Sequence, residues 1–315
     1  MLDASKANPA QHGELVWPGR ARWQNAPAHH FEQRLAICLG GRREEVPLAA
    51  VLANDAGLAN GEVAWVSLVP ARFDLMAGQL QLAQIADPAV ATAIMAHPVL
   101  PTLFAEILAD YGLQLHSACA GHLLVSGEGL SGATTTPLSA LAGADVLALL
   151  PRNPRQQGIH WRGLFNDLQM SLHHELAGPG ESQDLACNAL WPQGAGAWSA
   201  DDFTTVQLTD FYSDDPVQQC FARAAGVRSI ASWSTLTRAG FRNALAVAPM
   251  CRGQSPQRYW EALCLEVLLP LQSAGVALTV LAESKGGWRL RRRWWPGQTC
   301  SLLSDWHRAS SKYSD

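Results

Sequence analysis

Charge is scarce in this chain: 16% of its 315 residues are Asp, Glu, Lys or Arg, against 48% hydrophobic. That balance excludes a disordered chain and supplies ample material for a buried core, in one large domain or two ordinary ones. The net charge of −4 excludes a chain-wide electrostatic footprint for nucleic acid. No apolar run approaches the roughly 20 residues of a membrane-spanning helix. The opening MLDASKANPAQHGE has no apolar centre of the kind a secretory signal carries. A cytoplasmic protein with no membrane partner is therefore expected. CxxC is also missing. The 7 cysteines (Cys38, Cys119, Cys187, Cys220, Cys251, Cys264 and Cys300) are odd in number and widely spaced, which favours reduced, buried thiols over disulfides or zinc. The absence that matters most for chemistry is histidine, which does not occur between His174 and His307.

What is present has an α/β texture. Residues 63–69 and 79–84 read as strands around an Ala77-Gly78 turn, and 47–56 as a short helix. Residues 87–111 are helical, capped by Asp87 and Pro88, stopped by Gly112 and split at Pro98 and Pro101. LQLHSA and HLLVSG form a hairpin through 119–121, and 137–150 is one helix or two short ones. Trp161, Leu164, Phe165, Leu168 and Leu172 line one face of a helix over 160–175. GPGESQ, residues 178–183, then marks a domain boundary: an α+β region over 1–180 and an α/β region over 181–315. In the second region, strands at 186–191, 204–208 and 244–248 alternate with helices at 215–225 and 255–273, and a hairpin spans 276–294. Such alternation predicts helices packed on a sheet. Residues 34–39 read as a further strand.

Several groups of residues invite a chemical reading, each beside a structural one. Asn166, Gln169 and His173 fall on one stripe of the 160–175 helix, facing a cleft or forming a solvated flank. Gly194 and Gly196, in a loop after a strand, bring backbone amides within reach of a phosphate or simply make a tight turn. Asp201, Asp202, Asp210, Asp214 and Asp215 suit one hard cation, or loop solvation and capping of a helix at Pro216. His116, Cys119 and His122 have an HxxCxxH spacing but no fourth zinc ligand, and His29-His30 is a lone pair. Arg289, Arg291, Arg292 and Arg293 beside Trp294 and Trp295 suit phosphate or single-stranded nucleic acid, or a charged edge strand.

The stretches TTTPLSALAGADVLALLP, WRGLFNDLQMSLHHE and CNALWPQGAG resemble the RpfE-type regulatory protein family, which is similar to archaeal-type cofactor-independent phosphoglycerate mutases. Asn188, Trp191, Gly194 and Gly196 match the family's Asn-x-x-Trp and Gly-x-Gly. His174-Glu175-Leu176-Ala177 stands where its His-Pro-Val-Asn belongs, and no arginine lies between 163 and 222. The resemblance spans most of 63–295. It implies a divergent alkaline-phosphatase-like α/β fold, a layered sheet with helices on both faces, behind an N-terminal α+β portion. Enzymes of that superfamily hold two divalent metals through aspartates and histidines, and the late histidines of that set have no counterpart here.

A non-catalytic, metal-site-lacking binding or regulatory protein is therefore expected, with no cofactor. Its ligand set is Asn166, Gln169, His173, Asn188, Trp191, Gln193, Gly194 and Gly196, and its partner a phosphorylated small molecule or a protein. The alternatives are a phosphoglycerate mutase or phosphatase with a rearranged site around 201–215, and an interaction module using the basic C-terminal hairpin.

Overall fold

The computed structural model describes residues 12–17, 39, 47–58, 63–141, 143–153, 158–176, 187–203, 208–230, 244–247, 277–282 and 292–294. The chain separates into two compact units, one of Gly41–Phe203 and one of Met1–Gly40 with Thr204–Asp315. This division differs from the break expected near 180, because residues after that point pair with a strand well before it.

The Gly41–Phe203 unit contains helices α1 (Leu48–Asp55), α2 (Ala89–Ala96), α3 (Leu100–Asp110) and α4 (Trp161–Leu176). Its strands are β2 (Ala64–Met76), β3 (Gln79–Ile85), β4 (Gln114–Cys119), β5 (His122–Ser126) and β6 (Ala189–Ala197). The other unit contains β1 (His12–Trp17), β7 (Asp210–Tyr212), α5 (Pro216–Ala224), β8 (Arg228–Ile230), β9 (Ala244–Val247), β10 (Ala277–Ala282) and β11 (Arg292–Trp294). Its strands run β11-β10-β1-β9-β7-β8, parallel except for the β10–β11 pair. The whole is a mixed α/β protein. The helix expected over 255–273 lies outside the described residues, as do His29, His30, nearly all of the 34–39 strand and most of the 204–208 strand.

In the Gly41–Phe203 unit every strand pairing among the described residues is antiparallel, and β2 is the hub. One edge of this 13-residue strand pairs with β5 over residues 65–68 and with β3 over 71–76. The other edge pairs with β6 over 64–71. Pro70 lies in mid-sheet, where a missing N–H is normally excluded. It sits in the seam between the β5 and β3 ladders, and its carbonyl still accepts the Ala86 N–H at 3.1 Å.

Alternation along β2 feeds two cores. Ala64, Val66 and Leu68 join Ile94, Phe104, Leu108, Leu123 and Val125 in one. Val69, Ala71 and Phe73, on the opposite face, join Leu138, Val146 and Trp191 in the other. Helix α4 feeds both: Trp161, Leu164, Leu168 and Leu172 enter the first and Phe165 the second. Its predicted apolar face is thus the buried one. Tyr111, just past α3, ties to α4 by donating its hydroxyl to Asp167 at 2.6 Å.

Local signals explain the boundaries. Helices α2 and α3 meet at 92° around Pro98, where His97 Nδ1 accepts the N–H groups of Val99 and Leu100. Among the described residues no single helix is long and apolar enough to cross a membrane. The 137–150 segment forms two short 3-10 turns, Leu138–Ala140 and Val146–Leu149, the second begun by Asp145. Both hairpins turn through Ala-Gly pairs with positive φ, Ala77-Gly78 and Ala120-Gly121, the geometry that matches strand twist.

A left-handed alanine costs roughly 1–2 kcal/mol, and asparagine tolerates that conformation better. Ala120→Asn is therefore expected to raise stability by about 0.5–1 kcal/mol in denaturant unfolding. Gly121→Ala is expected to lower it, because its Cβ would lie 2.9 Å from Pro88 Cα.

Candidate functional site

The residues nominated on β6 are committed to the fold. Asn188, immediately before the strand, accepts the Phe73 N–H through Oδ1 and donates through Nδ2 to the Phe73 carbonyl, both at 2.8 Å. Its side-chain amide thus adds one more rung to the β2–β6 ladder. Trp191 is fully buried and donates its indole N–H to the Thr136 carbonyl at 2.7 Å. Its ring packs against Phe165 and Phe73. Gln193, also buried, accepts the Leu138 N–H at 2.9 Å.

The expected glycine loop at 192–196 is a correction: these residues continue β6. Gly194 and Gly196 make room for the start of α1. A Cβ at Gly194 would lie 2.6 Å from Leu48 Cβ, and one at Gly196 2.7 Å from Pro47 Cβ. The close approach that glycine permits is here made by a helix of the same chain. Loop signals in Pro192, Gly194 and Gly196 were overridden by pairing with β2, which is the only strand bonded to β6 among those described.

The α4 residues stand apart from this set. Asn166 and His173 are exposed and Gln169 is half-buried, and the helix turns Phe165, not these side chains, toward Trp191. The structure therefore groups Asn166, Gln169 and His173 as a helix surface, with Arg162 and Met170 also exposed. It places Asn188, Trp191 and Gln193 inside the sheet.

A second polar group, absent from the sequence reading as a unit, lies on the face of the sheet that carries Ser67. The Ser67 hydroxyl donates to the Gln193 carbonyl at 3.0 Å, and His122 Nδ1 lies 3.1 Å from the same oxygen. With the one hydroxyl proton already directed at a carbonyl, the imidazole acts as the donor and carries its proton on Nδ1. Burial pushes the His122 pKa down to about 4, which agrees with a neutral ring. In serine nucleophiles the base accepts the hydroxyl proton; here the arrangement is reversed, and the pair is a buried structural link. His116 Nε2 meets the Ser126 hydroxyl at 2.8 Å, its ring 4.7 Å from that of Trp65, and burial lowers its pKa as well. Both imidazoles of the HxxCxxH spacing are thus bonded to serines. The signal available in the sequence was Ser67 itself, a lone hydroxyl inside the apolar run AWVSLV.

Comparison with known proteins adds little. No family model matches the chain, and no curated protein does. Among solved structures it is similar to a cofactor-independent phosphoglycerate mutase from Thermoplasma acidophilum DSM 1728, at 12% identity and a TM-score of 0.36 over 87% of each chain. It is also similar to the PH0037 protein from Pyrococcus horikoshii, at 9% identity and a TM-score of 0.37, over 87% of this chain and 82% of that one. The likeness is distant.

The acidic residues after β6 divide between the two units, and three of them are engaged locally. Asp202 accepts the Ser199 N–H at 3.0 Å in a capping box. Asp210, buried, pairs with Arg228. Asp215 caps α5 by accepting the Val217 N–H at 2.8 Å, which realises the capping reading of this group. Asp201 and Asp214 are exposed. Of the basic hairpin, Arg292 and Arg293 lie on β11, an end strand opposite Val280 and Thr279; Arg289, Arg291 and Trp295 fall outside the described residues.

Two outcomes follow from this geometry. An unfolded histidine titrates near 6.5 and His122 near 4 in the fold, so between those values the unfolded chain binds more protons. Stability should fall as pH drops through that window, by roughly 3 kcal/mol at its lower end. Denaturant unfolding at pH 7, 5.5 and 4.5 checks this, with the slope reduced in His122→Asn. Asn188→Asp keeps an acceptor for Phe73 but loses the donor, and should cost about 1–3 kcal/mol; an unchanged denaturation midpoint would contradict the structural role.

Proposed function

We propose that the protein is a non-catalytic binding or regulatory protein, a divergent member of the RpfE-type family with a phosphoglycerate-mutase-like layered α/β fold. Its binding surface in this reading is the exposed side of α4, carrying Asn166, Gln169 and His173. One observation carries the choice of surface. The polar groups of Asn188, Trp191 and Gln193 are spent within the sheet, whereas Asn166 and His173 stand exposed on α4. Met170, 70% exposed beside them, favours a protein partner over a phosphorylated small molecule, since an apolar side chain in a polar rim suits a protein contact. Arg162 is the one arginine or lysine on that helix, a poor endowment for phosphate.

The enzyme alternative is weakened because three of its five acidic residues, Asp202, Asp210 and Asp215, are engaged in a cap, an ion pair and a helix start, which leaves Asp201 and Asp214 exposed. The absence of histidine between His174 and His307 points the same way for two-metal chemistry.

Two measurements test the reading. Purified protein with Mn²⁺ or Mg²⁺ should show no mutase or phosphatase turnover on 2- or 3-phosphoglycerate, and no thermal shift with either. Turnover that disappears in Asp202→Asn would overturn it. A photo-crosslinking residue at Met170 should give a discrete protein adduct in intact cells, lost in Asn166→Ala/His173→Ala. Adducts indifferent to those changes would remove α4 as the binding surface.

A further inference from the structure

Strand β3 ends its sheet: β2 is its one partner among the described strands. The ladder fixes which backbone groups are left over. Pro70 directs its carbonyl to Ala86, while Phe73 turns its N–H and C=O the other way, to Asn188. Even-numbered residues of β2 therefore address β3. Their partners Gln84, Gln81 and Gln79 spend their backbone groups on β2, and Leu80 and Leu82 between them turn theirs outward.

Exposed edges of this kind are normally guarded by lysine, proline or shortness. Here the chain from Leu75 to Ala86 contains no charged residue and no proline, and β3 is seven residues long. The surroundings are apolar as well. Leu75, Met76 and Ile85, 75%, 53% and 49% exposed, are half of the exposed large hydrophobic side chains among the described residues, and all three belong to this hairpin.

We propose that β3 pairs antiparallel with β3 of a second copy of this chain, about a two-fold axis at Gln81. That register sets Leu80 opposite Leu82 of the second copy, and the reverse, so the four outward backbone groups of Leu80 and Leu82 in each strand are all used. It sets Gln81 against its own copy, where two amides can hydrogen-bond across the strands. The neutrality of the strand is the argument for self-pairing. A two-fold contact places the central residue against itself and its neighbours against each other, so a charge near the axis would meet its like. The extra residue that shifts the β2–β3 register, Ala83, lies just beyond the paired residues and leaves them regular.

The test is charge exchange at the axis. Wild-type full-length chain should sediment as a concentration-dependent dimer up to about 100 μM, a range typical of modest interfaces. Gln81→Lys and Gln81→Glu should each weaken that dimer about tenfold or more, and an equimolar mixture of the two should restore it as a heterodimer. Far-UV circular dichroism and melting temperature establish that each variant is folded. If Gln81→Lys unfolds the chain, Gln79→Lys/Ala83→Lys with Gln79→Glu/Ala83→Glu, exposed positions that this register sets opposite each other, makes the same comparison. A wild-type monomer at that concentration overturns the proposal and leaves the edge to an extended segment of a different protein. A dimer unmoved by either charge, or one the mixture fails to restore, overturns it too.

Discussion

Strand β2 must find hydrogen-bond partners along both edges, and that requirement organises the Gly41–Phe203 unit. One edge is shared by two hairpins, β5 arriving from one side and β3 from the other. The second edge is served by β6, which reaches back across more than a hundred residues of chain. Where β6 stops, the Asn188 side chain closes the next rung onto Phe73. The two cores lie on the two faces of this strand, because its alternate side chains point to opposite sides of the sheet. Helix α4 is then fixed by contributing to both cores at once.

Polar side chains in this unit serve the sheet before anything else. Ser67, His122 and Gln193 are linked to one another, and Trp191 and Gln193 hold the segment over Thr136–Leu138 through its backbone. Buried polar groups that satisfy one another specify a single arrangement of a core, and leaving any of them unpaired is costly. The polar flank of α4, by contrast, is exposed, and the outer edge of β3 has no strand paired to it among the described residues.

The sequence made some of this plain and hid the rest, for physical reasons. The helix at 160–175 was legible because its apolar residues recur at helical spacing, and the two hairpins because Ala-Gly turns sit between alternating runs. Pro70, Pro192, Gly194 and Gly196 misled, since locally they are turn residues. Each is accommodated in a strand only through neighbours distant in sequence: Pro70 by a seam between hairpins, and the glycines by α1 lying against them. The role of Asn188 was hidden for the same reason, its partner being 115 residues away. Ser67 and His122, 55 residues apart, form a pair that no spacing rule anticipates. Asn188, Trp191 and the two glycines, read from the sequence as one motif, all take part in seating β6 against β2, α1 and the Thr136–Leu138 segment.

Pro70 also acts as a stop. Sliding the β5 hairpin two residues toward the end of β2 would preserve which side chains face inward, and so escape the penalty that ordinarily forbids a slip. It would also bring a carbonyl of β5 against the one residue of β2 with no hydrogen to give. Strand β3, tied to β2 by the two-residue Ala77-Gly78 turn, stays on the far side of that stop. A single imino acid thus divides one edge of a long strand into two reserved berths, one for β5 and one for β3.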